Sequence, residues 1–109
     1  MSITYTFRNK LYTYRIGRNA KDNWDLIDTS DPEDWWFHID GFSSAHVVMK
    51  SEGPPDLSAL RHGAALCKEN TNKCKSIKNL PITYTQIKNV KKDKAVGSVT
   101  IKNYKTLKL

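Results

Sequence analysis

The hydrophobic period of the chain changes several times, and each change marks an element. Ile3, Tyr5 and Phe7 alternate with Thr4, Thr6 and Arg8, the period of two of a half-buried strand. Asn9-Lys10 reads as a hairpin turn, and Leu11 to Ile16 as the returning strand, stopped by Gly17. Asn19 suits the cap of a short helix from Ala20 to about Ile27, with Trp24 and Ile27 on one face. An acidic turn around Asp31-Pro32 leads into a strand, Trp35 to Ile39. On it Trp35, Phe37 and Ile39 point to the core, and Trp36, His38 and Asp40 point the other way. A loop at Gly41–Ala45 precedes a strand from His46 to Lys50. Asp56 can cap a helix from Leu57 to Glu69, whose Leu57, Leu60, Ala64 and Cys67 recur at helical spacing and should face the sheet. Leu80 to Thr85, Ile87 to Val90, Ser98 to Lys102 and Thr106 to Leu109 read as further strands, with a break at Gly97. The expectation is an α+β fold: mostly antiparallel sheet with one main and one short helix, a single compact domain over residues 1–109.

Composition narrows the class. With 109 residues and 39% hydrophobic side chains, the chain can bury a core without disulfides or metal. No apolar run is long enough to span a bilayer. The first residues show neither the basic nor the apolar segment of a secretory signal, so an intracellular, cytoplasmic protein is expected. Cys67 and Cys74 then read as free thiols. Adding His62 gives H-x4-C-x6-C, three ligands where a structural zinc site uses four, so no metal or cofactor is expected.

Charge changes the picture more, because the net +7 is unevenly spread. Residues 1–67 hold seven Lys/Arg against nine Asp/Glu, a net of −2, and residues 68–109 hold eleven Lys against two acids, a net of +9. A one-sided cationic surface attracts phosphates by steering and counterion release, whereas the plain alternative is solubility. Lys88, Lys91 and Lys92 form the densest group, placed either to contact phosphates or to guard an edge strand against aggregation. Arg18 and Asn19, between a strand end and a helix start, suit phosphate capture, or else a helix cap with an ion pair to Asp22. Asn23 reads as a structural bridge to the neighbouring loop.

The centre of the chain carries the mixed chemistry. Trp36 and His38 share a strand face and could stack unpaired bases, or could be a satisfied core pair. If Asp40 stands opposite Ala45, His46 faces away from His38, and a bulge at Gly41 would bring the two to one side. An enzyme would need both histidines in one pocket with Asp34, Asp40 or Ser44 as partner. No nucleophile-elbow, phosphate-loop or metal-ligand spacing accompanies them, so binding without turnover is expected.

Several runs, in order, resemble a known family. Ile16-Gly17-Arg18-Asn19-Ala20-Lys21-Asp22-Asn23 is similar to the "GRNAxxN" element of the NFACT RNA-binding (NFACT-R) domain. Asp34-x-Trp36-Phe37-His38 followed by Ser44-Ala45-His46-Val47-Val48 resembles its "DxWFHxxGxxGSHVV". Pro54-Pro55, Ala64-Ala65 and Tyr84 to Lys92 resemble later elements, and Gly97-x-Val99 with Asn103 to Leu107 its ending. The stand-alone form in a eukaryotic coiled-coil-domain protein shares the Ser-Ser-Ala-His run seen at Ser43–His46. The resemblance implies a nucleic-acid-binding domain, for structured RNA such as tRNA or rRNA rather than DNA, with a link to ribosome quality control. The candidate contacts, read from the residues themselves, are Arg18, Asn19, Trp36, His38, His46, Lys88, Lys91 and Lys92. The alternatives the resemblance leaves are DNA binding and a ribosome-associated protein-interaction adaptor. One departure is visible: Ser44-Ala45 stands where the family pattern has Gly-Ser, removing a residue free to take positive φ.

Overall fold

Buried Tyr12, Tyr14 and Ile16 alternate with the less buried Leu11, Thr13 and Arg15 along β2 (Lys10–Gly17), and this period sets the side of the sheet on which the main core grows. The computed structural model describes residues 2–7 and 10–109. β1 (Ser2–Phe7) pairs antiparallel with β2. Arg8 and the turn residue Asn9 lie outside the described residues, as do most of the β1 side chains on which the alternation was read; Lys10 opens β2. The chain continues through α1 (Ala20–Asp28), β3 (Trp35–Ile39), β4 (His46–Ser51), α2 (Leu57–Glu69), β5 (Pro81–Gln86), β6 (Val90–Lys92), β7 (Val99–Ile101) and β8 (Lys105–Lys108). Six strands form one antiparallel sheet in the order β1-β2-β4-β3-β5-β8, and β6 and β7 form a separate ribbon. The fold is α+β with one main and one short helix, in a globule of 12.7 Å radius of gyration, near the ~13 Å expected for this length.

The sheet has two unequal faces. On one, Tyr12, Tyr14, Ile16, Phe37, Ile39, Val47, Met49, Ile82 and Tyr84 meet Ala59, Leu60, Ala64, Leu66 and Cys67 of α2. Burying a side chain of this size is worth roughly 1.5–3 kcal/mol, so this layer supplies most of the stability. Gly63 lets the helix sit on the Phe37 ring, since a Cβ there would come within 2.6 Å of Phe37 Cζ. Leu57, expected on the buried stripe, is instead exposed, at the flank of the stripe. The Asp56 side chain makes no capping bond to α2.

On the other face, Leu26 of α1 and Val90, Val99 and Ile101 of the ribbon close over Trp36 and Val48. Ile87–Asn89, expected within a strand, forms a 3-10 turn, with β6 starting at Val90. The backbone accounts for this. The Ile87 N–H donates to the Asp34 carbonyl at 2.8 Å and the Lys88 N–H to that of Pro32 at 3.0 Å, so neither can extend the β5 ladder.

Candidate nucleic-acid interface

The loop between β3 and β4 fixes the site through its register. Trp36 pairs with Val48 and Phe37 with Val47, one residue out of step with the simplest hairpin. A shift of one residue reverses every side chain. His46 therefore shares the face of Trp36 and His38, with no need of a bulge, and the two imidazole centroids lie 5.0 Å apart.

Three segments lock this corner. Asn19 caps α1, its Oδ1 accepting from the Asp22 N–H at 2.8 Å. One turn later, buried Asn23 accepts from the His46 N–H at 3.2 Å, the structural bridge expected from the sequence. Gly17 makes room for it: a Cβ there would stand 2.4 Å from Asn23 Oδ1. Just after α2, Thr71 Oγ1 accepts from the Ala45 N–H at 3.1 Å and donates to the Cys67 carbonyl at 3.0 Å. Ser44 and Ala45 are absent from the positive-φ residues, so the departure from Gly-Ser is absorbed without strain. Ser44 Oγ accepts from the Ile39 N–H at 3.1 Å.

The Trp36 indole is only 1% exposed. Its Nε1–H donates to His46 Nδ1 at 3.1 Å, and its ring stacks on His38 with centroids 5.5 Å apart. This corrects the stacking-platform reading of Trp36, because α1 and the ribbon occupy the space a base would need. His38 is half-buried and lines the adjoining cleft. An indole N–H can only donate, so the His46 proton resides on Nε2. Burial, followed by the neighbouring His38, pushes His46 down to about 3. Burial also lowers His38, opposed by Asp40. The result is two neutral imidazoles. Among the described residues neither is hydrogen-bonded to a carboxylate or hydroxyl.

Beside them opens a polar cleft of about 450 Å³, bounded by Arg18, Asn19 and Asn23, by Ser43 and Ser44, by Asn70 to Lys73, and by Val96 to Ser98 of the β6–β7 loop. His38 and His46 line it together with Arg18 and Asn19. A second cleft of about 330 Å³, with Phe42 and Val99 in its walls, shares His38, Ser43, His46, Gly97 and Ser98 with the first. Phe42, Ser43, the Asn70–Lys73 run and the β6–β7 loop were not singled out from sequence as site residues.

The lysines expected from the sequence lie apart from this cleft. Lys88 pairs with Glu33 at 3.3 Å, and Lys92 pairs with Asp28 at 2.7 Å while lying 5.2 Å from the Trp24 ring centroid. Lys91 shares a small groove of about 150 Å³ with Lys88 and Lys102. Lys73, Lys91 and Lys102 have no carboxylate at ion-pair distance among the described residues. The motif residue Asp34 is structural: its carboxylate is buried, accepting from the Asp31 N–H at 3.0 Å and from Lys50 at 3.1 Å. Both cysteines are free and buried, and burial pushes the Cys67 thiol up to about 12. Among the described residues no cluster of His, Cys, Asp and Glu has metal-holding geometry, and no helix is long and apolar enough to cross a membrane.

The model of the NFACT protein RNA binding domain matches residues 1–103. The chain belongs to this family. Coiled-coil domain-containing protein 25 of Bos taurus is 36% identical over 105 residues, covering 90% of this chain and 50% of that protein. The Rqc2 homolog RqcH of Bacillus subtilis is 30% identical over 81 residues, covering 73% of this chain and 14% of that protein. Among solved structures, the C-terminal part of the fibronectin/fibrinogen-binding protein from Streptococcus suis superposes with a TM-score of 0.82 at 22% identity, over 90% of this chain and 40% of that one, which shows a shared fold. The chain spans about half the length of the coiled-coil-domain relatives it matches. Membership in this family supports a nucleic-acid-binding, RNA-directed role for the NFACT-R domain described above.

Proposed function

We infer that this NFACT-R domain binds structured RNA, such as tRNA or rRNA, through its phosphate backbone, with the polar cleft beside His38 and His46 as the centre of contact. The single observation that carries this reading is that the fold brings Arg18 and Lys73, 55 positions apart in the chain, to one cleft otherwise lined by amides and hydroxyls. Such a rim suits phosphate oxygens, which accept from guanidinium, ammonium and amide donors alike. Lys91 and Lys102 extend the cationic surface to a second groove. The ion-paired Lys88 and Lys92 contribute less, since each must first leave its carboxylate. The similarity to RqcH favours a ribosome-associated RNA.

The test is titration of a tRNA, a single-stranded RNA and a DNA duplex at several salt concentrations. If about four phosphates are neutralised, log K should fall against log salt with a slope near −3 to −4. Arg18→Glu combined with Lys73→Glu should weaken every ligand about tenfold or more. A slope near zero removes the electrostatic reading.

A further inference from the structure

We propose that the two joined clefts hold one unpaired nucleotide of the bound RNA, its base entering past Phe42 onto the His38–His46 floor and its phosphate staying outside with Arg18 and Lys73. This deepens the RNA-binding reading and rests on it.

The floor presents polar ring atoms to the cleft. His46 is 2% exposed, its Nδ1 is taken by Trp36, and among the described residues nothing accepts from its Nε2–H. Nε2 is not among the sealed, unpartnered polar atoms, so its N–H meets the clefts that His46 lines, where a ligand acceptor can replace water. His38 lies against it with no hydrogen bond of its own among the described residues. Both rings are neutral, so this part of the hollow suits an uncharged group with donors and acceptors on its edge. A nucleobase is such a group, and a phosphate is not.

The walls point the same way. Phe42 on the β3–β4 loop and Val96 on the β6–β7 loop are among the few large hydrophobic side chains exposed in the described residues, and both line these clefts. An exposed aromatic ring at the mouth of a polar hollow offers the face on which a base stacks, a role the sealed Trp36 cannot fill. The clefts, of about 450 and 330 Å³, share five lining residues and so form one space, of a size common among small-ligand sites. Neutral rings inside and cations at the rim match the two halves of a nucleotide.

The experiment compares a short RNA duplex with the same duplex carrying one bulged nucleotide, at one salt concentration, for the full chain and for Phe42→Ala and Lys73→Glu. The bulged RNA should bind about tenfold more tightly, the effect of one stacked base. Phe42→Ala should erase that preference and leave duplex binding unchanged, while Lys73→Glu weakens both RNAs alike. Imidazole proton resonances of His38 and His46 should shift with the bulged RNA and stay in place with the duplex. Equal affinity for both RNAs, or a Phe42→Ala loss shared equally by both, overturns the nucleotide pocket and leaves backbone binding standing. Failure to bind either RNA overturns both readings.

Discussion

Replacing Gly17 by alanine should damage the fold and the site through one contact. The new Cβ would stand 2.4 Å from Asn23 Oδ1, 3.1 Å from the Asn23 backbone nitrogen and 3.1 Å from Leu26 Cδ1. The side-chain oxygen is the closest and must move, which ends its bond to the His46 N–H. Overpacking of this kind costs about 1–3 kcal/mol, and a buried N–H left unpaired adds about 1–3 kcal/mol. The stiffer unfolded chain returns only about 0.4–1 kcal/mol. The net expectation is a loss of about 2–4 kcal/mol, read from urea unfolding at an unchanged m-value. Asn23→Ala alone should lose about 1–3 kcal/mol by orphaning the same N–H. The decisive measurement is the double variant. If both changes act on one contact, their combined loss falls short of the sum by at least about 1 kcal/mol. Additivity to within about 0.5 kcal/mol would refute the claim that Gly17 is there to admit the Asn23 side chain.

Two further outcomes follow from buried titratable groups. His46 titrates near 3 in the folded chain against about 6.5 in the unfolded one, so the unfolded state takes up the proton first. The stability His46 contributes is complete above about pH 6.5 and is lost as pH falls toward 3, by up to about 1.4 kcal/mol per pH unit. Unfolding free energies between pH 6.5 and 4.5, mostly above the carboxylate range, should show this slope, and a flat profile there would contradict the buried neutral imidazole. Cys67 and Cys74, both buried, should resist a thiol reagent in native buffer and react together on unfolding; fast labelling of the folded protein would place a thiol at the surface.

Much of the architecture could be read from periodicity. Trp35, Phe37 and Ile39 line one side of β3 and Trp36 and His38 the other, because a strand alternates whatever its neighbours are. Asn19 caps α1 as its side chain and position suggest. Three features depended on partners distant in the chain. The register that unites His38 with His46 is held by Asn23 and Thr71, which no local rule connects to the loop. The 3-10 turn at Ile87–Asn89 arises because the backbone of the 32–34 segment takes its N–H groups. Lys88 and Lys92 look equivalent to Lys91 in sequence, yet acidic residues more than fifty positions away pair with them alone. The cleft was hidden for the same reason, since its walls meet only after the sheet, both helices and the ribbon have assembled.

The unequal faces of the sheet divide the labour of the molecule. The aromatic layer under α2 carries the cohesion of the globule, while the recess beside α1 is walled largely by short polar side chains and two loops. Exchanging Phe42, Ser43, Lys73 or Val96 would remake the recess without opening the main layer. A lineage bearing this scaffold can therefore retune what it grips while its capacity to fold stays intact.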